Sequence, residues 1–272
     1  MTMIDYHIHT SLSDDSDTPW QEMTEKAVRL GLKEIAITDH HDPSYPDPDF
    51  PFDLDFDAYH MMLEDAIQHN SKTLGVKRGL ELGINDSCFH LCRDAAKNYH
   101  YDFIIGSFHM TNGVVVDAKE FYEDRSGLEI QEEYYTYALK CVKEFKDYSV
   151  LGHLNLVDRY QHLFRPEEAL CPPEMEDLLH DILETVIYDG KGLEFNTSSF
   201  RYKTPVTMPT PEIWKLYKEL GGEIITLGSD AHTPEYIAYN FKYALEILEA
   251  IGFKYIAVFN EMKPDFIKIT HL

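Results

Sequence analysis

Residues 3–10 read MIDYHIHT, a short run of alternating apolar and polar side chains that ends in two histidines, His7 and His9. Alternation of this kind predicts a β-strand. Residues two apart on a strand point to the same side, so both imidazoles could reach one ion. Taken alone, the pattern also fits two surface histidines on a loose N-terminus, and the remainder of the sequence has to distinguish these possibilities.

Segments that predict strands alternate with amphipathic segments that predict helices along the whole chain. This alternation is typical of a parallel α/β architecture. Seven strand–helix units fit one domain, residues 1–272, and an α/β barrel of about 250 residues would use nearly all of it. The last amphipathic run, residues 234–252, predicts one helix. The predicted strands are MIDYHI, EIAIT, VKRGLEL, DFIIGSF, SVLGHL, GLEFN and EIITLGS, with YIAVF (255–259) as a candidate for another.

The chain is strongly acidic, with 24 basic and 48 acidic residues and hence a formal net charge of 24 − 48 = −24. Such a chain lacks the basic surface typical of proteins that bind nucleic acid or anionic membranes. No apolar run of about 18 residues predicts a membrane span, and neither a leader segment nor a disulfide framework is indicated. We therefore expect a soluble cytoplasmic protein without nucleic-acid or membrane partners; the sequence does not indicate an oligomeric state.

Histidines and carboxylates follow most of the predicted strands at the point where each strand ends. In a barrel of parallel strands these ends converge on one cavity, and imidazole with carboxylate suits zinc, iron or manganese. The strand-end set comprises His7, His9, Asp39, His40, Glu81, His109, His153, Asp230 and His232. Each single histidine would more often be a core or surface residue, but together they predict a metal centre.

Two long segments without helical or strand periodicity, residues 41–57 and 110–128, follow predicted strands. Loops of this length in compact domains are usually functional or disordered. His41, at the start of the first segment, neighbours a candidate metal ligand and is therefore also a candidate for meeting a substrate.

The motifs HIHTSLSDDS, TDH, GLELG, GSFH, GHLNL and GSDAH occur in an order that resembles the PHP (polymerase and histidinol phosphatase) family of metal-dependent phosphoesterases. The resemblance covers essentially the whole chain and is greatest to the histidinol-phosphatase branch. It implies a distorted, TIM-like (β/α)7 barrel with the metal site at the C-terminal strand ends. It also implies hydrolysis of L-histidinol phosphate to L-histidinol and phosphate in histidine biosynthesis.

The resemblance further implies three divalent metal ions, of which zinc is preferred and iron or manganese are alternatives. For the first ion the implied ligands are His7, His9, Glu81 and Asp230. Glu81 would bridge to a second ion, completed by His109 and His153. The third ion would be held by His40, His232 and Asp15, with the adjacent Asp14 as an alternative to Asp15.

Phosphomonoester hydrolysis is very slow without a catalyst. We expect the metal ions to supply positive charge and to lower the pKa of a bridging water to about 7, so that the resulting hydroxide attacks phosphorus. Metal-bound water, Asp230 or His232 would then deliver a proton to the leaving group.

Binding of the phosphate and of the histidinol part calls for other side chains. Arginine binds phosphate through two parallel hydrogen bonds, and Arg159 and Arg201 both follow predicted strand ends. His41, Asp42 and Asn196 are candidates for the ammonium and imidazole groups of histidinol.

Three alternative functions remain open at this point. A PHP phosphoesterase could act on another small phosphomonoester or a nucleotide. A metal-dependent amidohydrolase also uses His-x-His on its first barrel strand, but no convincing barrel-strand lysine for a carboxylated bridge is found, and Glu81 takes the bridging position. A non-catalytic metal-binding protein would be expected to have gaps in its ligand set, and none is found.

Overall fold

The computed structural model describes residues 3–165, 173–202, 204 and 206–271 of the 272-residue chain, and these residues form an α/β fold. The helices are α1 (Trp20–Leu30), α2 (Phe56–Asn70), α3 (Phe89–Lys97), α4 (Gly127–Glu144), α5 (Leu156–Phe164), α6 (Glu176–Tyr188), α7 (Pro211–Glu219) and α8 (Phe241–Ile251). The strands are β1 (Ile4–Ile8), β2 (Glu34–Ile37), β3 (His40–His41), β4 (Gly75–Arg78), β5 (Glu81–Gly83), β6 (Ile105–Ser107), β7 (Met110–Thr111), β8 (Val114–Val115), β9 (Val150–Leu151), β10 (Gly192–Asn196), β11 (Ile225–Gly228), β12 (Tyr255–Asn260) and β13 (Lys263–Lys268).

Two parallel sheets position the site. Their strand orders are β1-β2-β4 and β11-β10-β9-β6-β5-β3. The chain passes from β2 into β3 and from β4 into β5 within a few residues, so two strands of the first sheet continue in the second. At the other edge, β1 meets the end of β11 through a parallel bridge between Ile8 and Ala231. There the His9 N–H donates to the Ala231 carbonyl at 2.9 Å.

The predicted α/β fold with a mostly parallel sheet is confirmed, whereas the described residues form no closed barrel ladder. Tyr59 of α2 lies where the ladder is interrupted. Its hydroxyl shares its hydrogen between the carbonyls of Ile37 and Gly79, at 3.0 and 2.9 Å, and accepts from the Asp39 N–H. These backbone groups therefore bond to a side chain instead of to the neighbouring strand.

The C-terminal part differs from the prediction in two respects. The run at 255–259 forms β12, which pairs antiparallel with β13 as a separate hairpin instead of extending a parallel sheet. Residues 234–252 do not form one helix, because Ala238 and Asn240 adopt left-handed backbone conformations with φ of 55° and 57° before α8 begins. The Ala238 N–H donates to Asp5 at 2.9 Å, which ties this bend to β1.

The core lies between the strands and the helices that cover them. Apolar strand residues such as Ile35, Ile105 and Leu193 are fully buried, as is Trp214 of α7, whose ring stacks on Phe195 of β10. Burial of this apolar surface is the main favourable contribution to folding. Within the described ranges, no helix is both long enough and apolar enough to cross a membrane.

Candidate metal centre

All nine predicted metal ligands lie close together at the carboxyl ends of the parallel strands. Most are buried, whereas Asp15 and His232 are partly exposed at the opening of the site. The segments that bring them together are β1 with the turn after it, β3, β5 and the residues that follow β6, β9 and β11. In chain order these predicted ligands are His7, His9, Asp15, His40, Glu81, His109, His153, Asp230 and His232.

Glu81 lies at the centre of this cluster and is completely buried. Its Oε2 atom is 2.8 Å from His7 Nε2 and 3.4 Å from His9 Nε2. Its Oε1 atom is 3.0 Å from His153 Nε2 and 3.2 Å from His109 Nε2. The two carboxylate oxygens therefore face two different histidine pairs, an arrangement that suits a carboxylate shared between two cations.

A third group of possible ligands surrounds Asp15. Its Oδ2 atom is 2.8 Å from His232 Nε2 and 3.8 Å from His40 Nε2. The His9 ring stacks on both imidazoles, with centroid distances of 4.4 Å to His40 and 4.2 Å to His232. Asp14, the alternative considered from sequence, instead accepts a hydrogen bond from the Phe52 N–H at 2.6 Å.

Unpaired buried nitrogens test whether these residues fit a metal ion. His9 Nε2 and His40 Nδ1 are buried without a hydrogen-bond partner in the described part of the chain. Both lie near Glu81 Oε2, at 3.4 and 3.3 Å. Leaving a buried polar atom unpaired costs about 1–3 kcal/mol. A cation between these nitrogens and the carboxylates would satisfy both, and imidazole with carboxylate is a donor set for zinc, iron or manganese.

The close approach of carboxylates and imidazoles shifts their pKa values. Burial alone would lower the pKa of His7, but Glu194, Glu81 and Asp230 outweigh it and raise that pKa well above its usual value. Burial alone would raise the pKa of Glu81, but His7 and His40 hold it well below its usual range. Burial also opposes protonation of His40, yet Glu81 raises its pKa to about 9. The carboxylates are therefore ionised and strongly attract positive charge.

Two buried carboxylates hold histidines of the cluster from behind. His7 Nδ1 donates to Glu194 Oε1 at 2.6 Å, and His109 Nδ1 donates to Asp42 Oδ2 at 2.6 Å. Each contact leaves the Nε2 atom of the histidine facing Glu81. Partners of this kind set the tautomer and orientation of metal-binding histidines.

Glu194 was missed in the sequence-based prediction. The signal that could have found it is a charged residue inside the otherwise apolar strand GLEFN, since a carboxylate in a buried strand needs a partner. Two glycines make room for the orienting carboxylates. A Cβ atom on Gly228 would overlap Glu194 Oε1 and lie 2.6 Å from His7 Cβ, and one on Gly83 would overlap the Asp42 carboxylate.

A cavity of about 120 Å³ opens beside the cluster and is bordered by the two predicted arginines. Arg159 Nη2 is 3.8 Å from Asp230 Oδ2, and Arg201 Nη2 is 3.8 Å from Asp230 Oδ1. Arg159 is buried, and its guanidinium donates to the Ser198 hydroxyl and lies over the Tyr202 ring at 4.7 Å. Two cations thus lie at the edge of the cluster, where an anion would meet them.

His41, Asp42 and Asn196, the sequence-based candidates for contacts with the organic part of a substrate, do not line this cavity. All three are buried. Asp42 is turned towards His109, as described above. His41 Nδ1 accepts from the Leu54 N–H at 3.4 Å and faces a second cavity, between the segment after β3 and helix α3. The Asn196 amide donates to Glu194 Oε2 at 3.1 Å, beneath the metal ligands.

The cavity is instead completed by side chains that were not predicted, namely Tyr45, Phe52, Asp117, Leu156, Tyr160 and Tyr202. Tyr45 and Phe52 come from the segment after β3 and contact each other with ring centroids 4.9 Å apart. Asp117 comes from the segment after β8. The two long loops noted in the sequence thus reach the site, but nothing in their sequence indicated which of their residues would do so.

The sequence of this chain matches a known protein family and two named relatives. The PHP domain family matches residues 5–198. The chain is 30% identical to the histidinol-phosphatase of Lactococcus lactis over 267 residues, covering 97% of each chain. It is 29% identical to a Clostridium acetobutylicum protein named probable histidinol-phosphatase, over 93% of this chain and 95% of that one.

Among solved structures, the chain is similar to the histidinol phosphate phosphatase of Lactococcus lactis in complex with zinc, L-histidinol and phosphate. The TM-score is 0.82 at 27% sequence identity, and the match covers 97% of this chain and 99% of the other. The PHP domain match over more than half of the chain and the 30% identity to the Lactococcus lactis protein show that the chain belongs to the PHP domain family.

Proposed function

We propose that this chain is a metal-dependent phosphatase that hydrolyses L-histidinol phosphate to L-histidinol and phosphate. The observation that carries the proposal is the position of Glu81, between two histidine pairs and in the same cavity as Arg159 and Arg201. Cation ligands next to arginines form a site for a phosphate group. The named activity of the Lactococcus lactis relative supports histidinol phosphate as the substrate.

We further propose that three divalent ions, most suitably zinc, occupy the cluster. The first is assigned to His7, His9, Glu81 and Asp230, the second to Glu81, His109 and His153, and the third to Asp15, His40 and His232. The zinc in the related Lactococcus lactis structure supports the choice of metal. When bound, such ions offset the negative charge of the phosphate and make water a better nucleophile near neutral pH.

The remaining chemistry falls to side chains of the cavity. Arg159 and Arg201 bind the phosphoryl oxygens, and their contacts with Tyr202 help to hold the guanidinium groups in place. Burial of Arg159 means that little water competes for its donors. Asp230 and His232 line the same cavity, and we propose that a proton from water reaches the leaving alkoxide through one of them.

We also propose that residues 1–272 form one domain, folded as a distorted (β/α)7 barrel. The bridge between Ile8 and Ala231 joins the free edges of the two parallel sheets, which supports closure. The passages from β2 into β3 and from β4 into β5 join the sheets at the opposite side. The alignment with the Lactococcus lactis relative over 97% of both chains supports a single unit.

Steady-state kinetics test the proposed function. The protein is stripped of metal, reconstituted separately with zinc, manganese or iron, and assayed for released phosphate with L-histidinol phosphate and a panel of other phosphomonoesters. We expect activity only after reconstitution and the highest kcat/KM with L-histidinol phosphate. Equal or higher kcat/KM with a nucleotide or a simple alkyl phosphate would overturn the substrate assignment, and full activity in the metal-free protein would overturn metal dependence.

A further inference from the structure

The cavity contains a carboxylate that the metal centre does not use. Asp117 follows β8 in one of the two long loops and lines the cavity together with Tyr45 and Tyr160. Its carboxylate accepts a hydrogen bond from its own backbone N–H, but within the part of the chain that the structure describes it makes no ion pair and no hydrogen bond to another side chain. A carboxylate accepts several hydrogen bonds, so it can also bind a ligand group.

Asp117 lies beside the cluster without being one of its ligands. The N–H of the preceding residue, Val116, donates to the His109 carbonyl at 2.9 Å. Burial raises the pKa of Asp117, and the positive charge of a protonated His109 opposes that increase. Burial also raises the pKa of the Tyr45 phenol, and the charge of Asp117 adds to that increase.

The cavity therefore carries charges of both signs. Arg159 and Arg201 each lie 3.8 Å from Asp230 and offer positive charge to an anion. Asp117, in the lining of the same cavity, offers negative charge. A ligand that carries both an anionic and a cationic group complements this distribution.

We propose that Asp117 binds the ammonium group of the substrate and so selects amino-alkyl phosphates over phosphomonoesters without a cationic group. This inference rests on the proposed function and names the specificity-determining residue of that site. A hydrogen bond between an ammonium and a carboxylate is among the stronger ones in proteins. The rings of Tyr45 and Tyr160 add apolar and π-face contacts that favour a cation.

A matched pair of substrates tests this role. One is L-histidinol phosphate, and the other is 3-(imidazol-4-yl)propyl phosphate, which keeps the imidazole and the phosphate but has hydrogen in place of the ammonium. The variant is Asp117→Asn. Asp124→Asn is the control, because it makes the same chemical change at an exposed position of the same loop that does not line the cavity. Asparagine tolerates the φ of 55° at that position.

The expected result is selective for one substrate. In the zinc-reconstituted protein, Asp117→Asn should raise KM for L-histidinol phosphate about tenfold or more, as loss of one charge-assisted contact predicts, with little change in kcat. KM for the deaminated substrate should stay the same in all variants, and Asp124→Asn should match the wild type with both substrates.

Two results would overturn the inference. In the first, the wild type turns over L-histidinol phosphate, but Asp117→Asn changes KM equally for both substrates or for neither. Asp117 then does not recognise the ammonium, whereas the proposed function stands. If the reconstituted wild type hydrolyses other phosphomonoesters but not L-histidinol phosphate, the proposed function fails and the inference fails with it. Circular dichroism confirms that each variant is folded.

Discussion

Replacing Glu194 with glutamine removes the carboxylate that orients His7 while keeping the shape of the side chain. Glu194 accepts from His7 Nδ1 at 2.6 Å through Oε1, and from the His153 N–H at 2.9 Å and the Asn196 amide at 3.1 Å through Oε2. Because His153 and Asn196 both donate, the amide nitrogen of the glutamine must turn towards His7. His7 Nδ1 then has to accept, which moves the ring proton to Nε2, the atom that faces Glu81.

The expected loss follows from the bond that is removed. A hydrogen bond to a charged group contributes about 1.5–3 kcal/mol. Since every 1.4 kcal/mol corresponds to a tenfold change in an equilibrium constant, zinc should bind roughly 10- to 100-fold more weakly in Glu194→Gln. Competition with a chromogenic chelator measures the zinc affinity, and phosphate release measured at increasing zinc concentration should show the same shift.

A surface variant and a stability measurement complete this test. Glu219→Gln makes the same chemical change at the exposed last residue of α7, which does not line the cavity, and should bind zinc like the wild type. The metal-free forms of all three proteins are compared by thermal unfolding. If Glu194→Gln is folded and binds zinc with unchanged affinity, the orienting role of Glu194 is wrong.

Three further predictions concern the arginines, a glycine and the protonation of the cluster. Alanine at both Arg159 and Arg201 removes two charge-assisted contacts, so kcat/KM for L-histidinol phosphate should fall roughly 10²- to 10⁴-fold; near-normal turnover would exclude them from phosphate binding. Gly228→Ala should lower Tm by several degrees, because its Cβ overlaps Glu194 Oε1 and overpacking costs about 1–3 kcal/mol. In the control Gly75→Ala the nearest atoms lie 3.3 Å away, and an equal change in Tm in both variants would contradict the packing argument. Finally, nearby carboxylates raise the pKa of His7 and His109 well above the usual value and the pKa of His40 to about 9, and they outweigh the opposing effect of burial. These three histidines are therefore expected to be protonated at pH 7 in the metal-free protein. Zinc must displace these protons when it binds. Calorimetric titration in buffers of different ionisation enthalpy should therefore show proton release, which declines as the pH rises past about 9. A heat of binding that is the same in all buffers would refute this prediction.

The parts of the fold that could be predicted from sequence are those with a local signal. The strand GLEFN forms β10 over the predicted residues, and α1 ends before Gly31, whose φ of 79° suits the left-handed end of a helix. The interruption between β4 and β5 could not be predicted, because it depends on Tyr59 from another element. The hairpin of β12 and β13 was missed for the same reason, since a short apolar run does not specify the strand with which it pairs.

The sequence by itself determined which side chains stand at the strand ends. His7 and His9 share one side of β1 because side chains alternate along a strand, and this local rule needs no knowledge of the neighbouring elements. The tertiary structure decided which of these groups meet. Glu81 of β5 faces His109 and His153, which follow β6 and β9 of the same sheet, and also His7 and His9 from β1 of the other sheet. Glu194 reaches His7 across Gly228 of β11.

The same distinction applies to the loops that complete the cavity. Residues 41–57 and 110–128 were recognisable as long irregular segments, but only the folded chain places Tyr45 and Asp117 in the cavity. The physical reason is that periodicity specifies the direction of a side chain within its own element. Contacts between elements depend on strand order, register and loop path, which a single stretch of sequence does not encode.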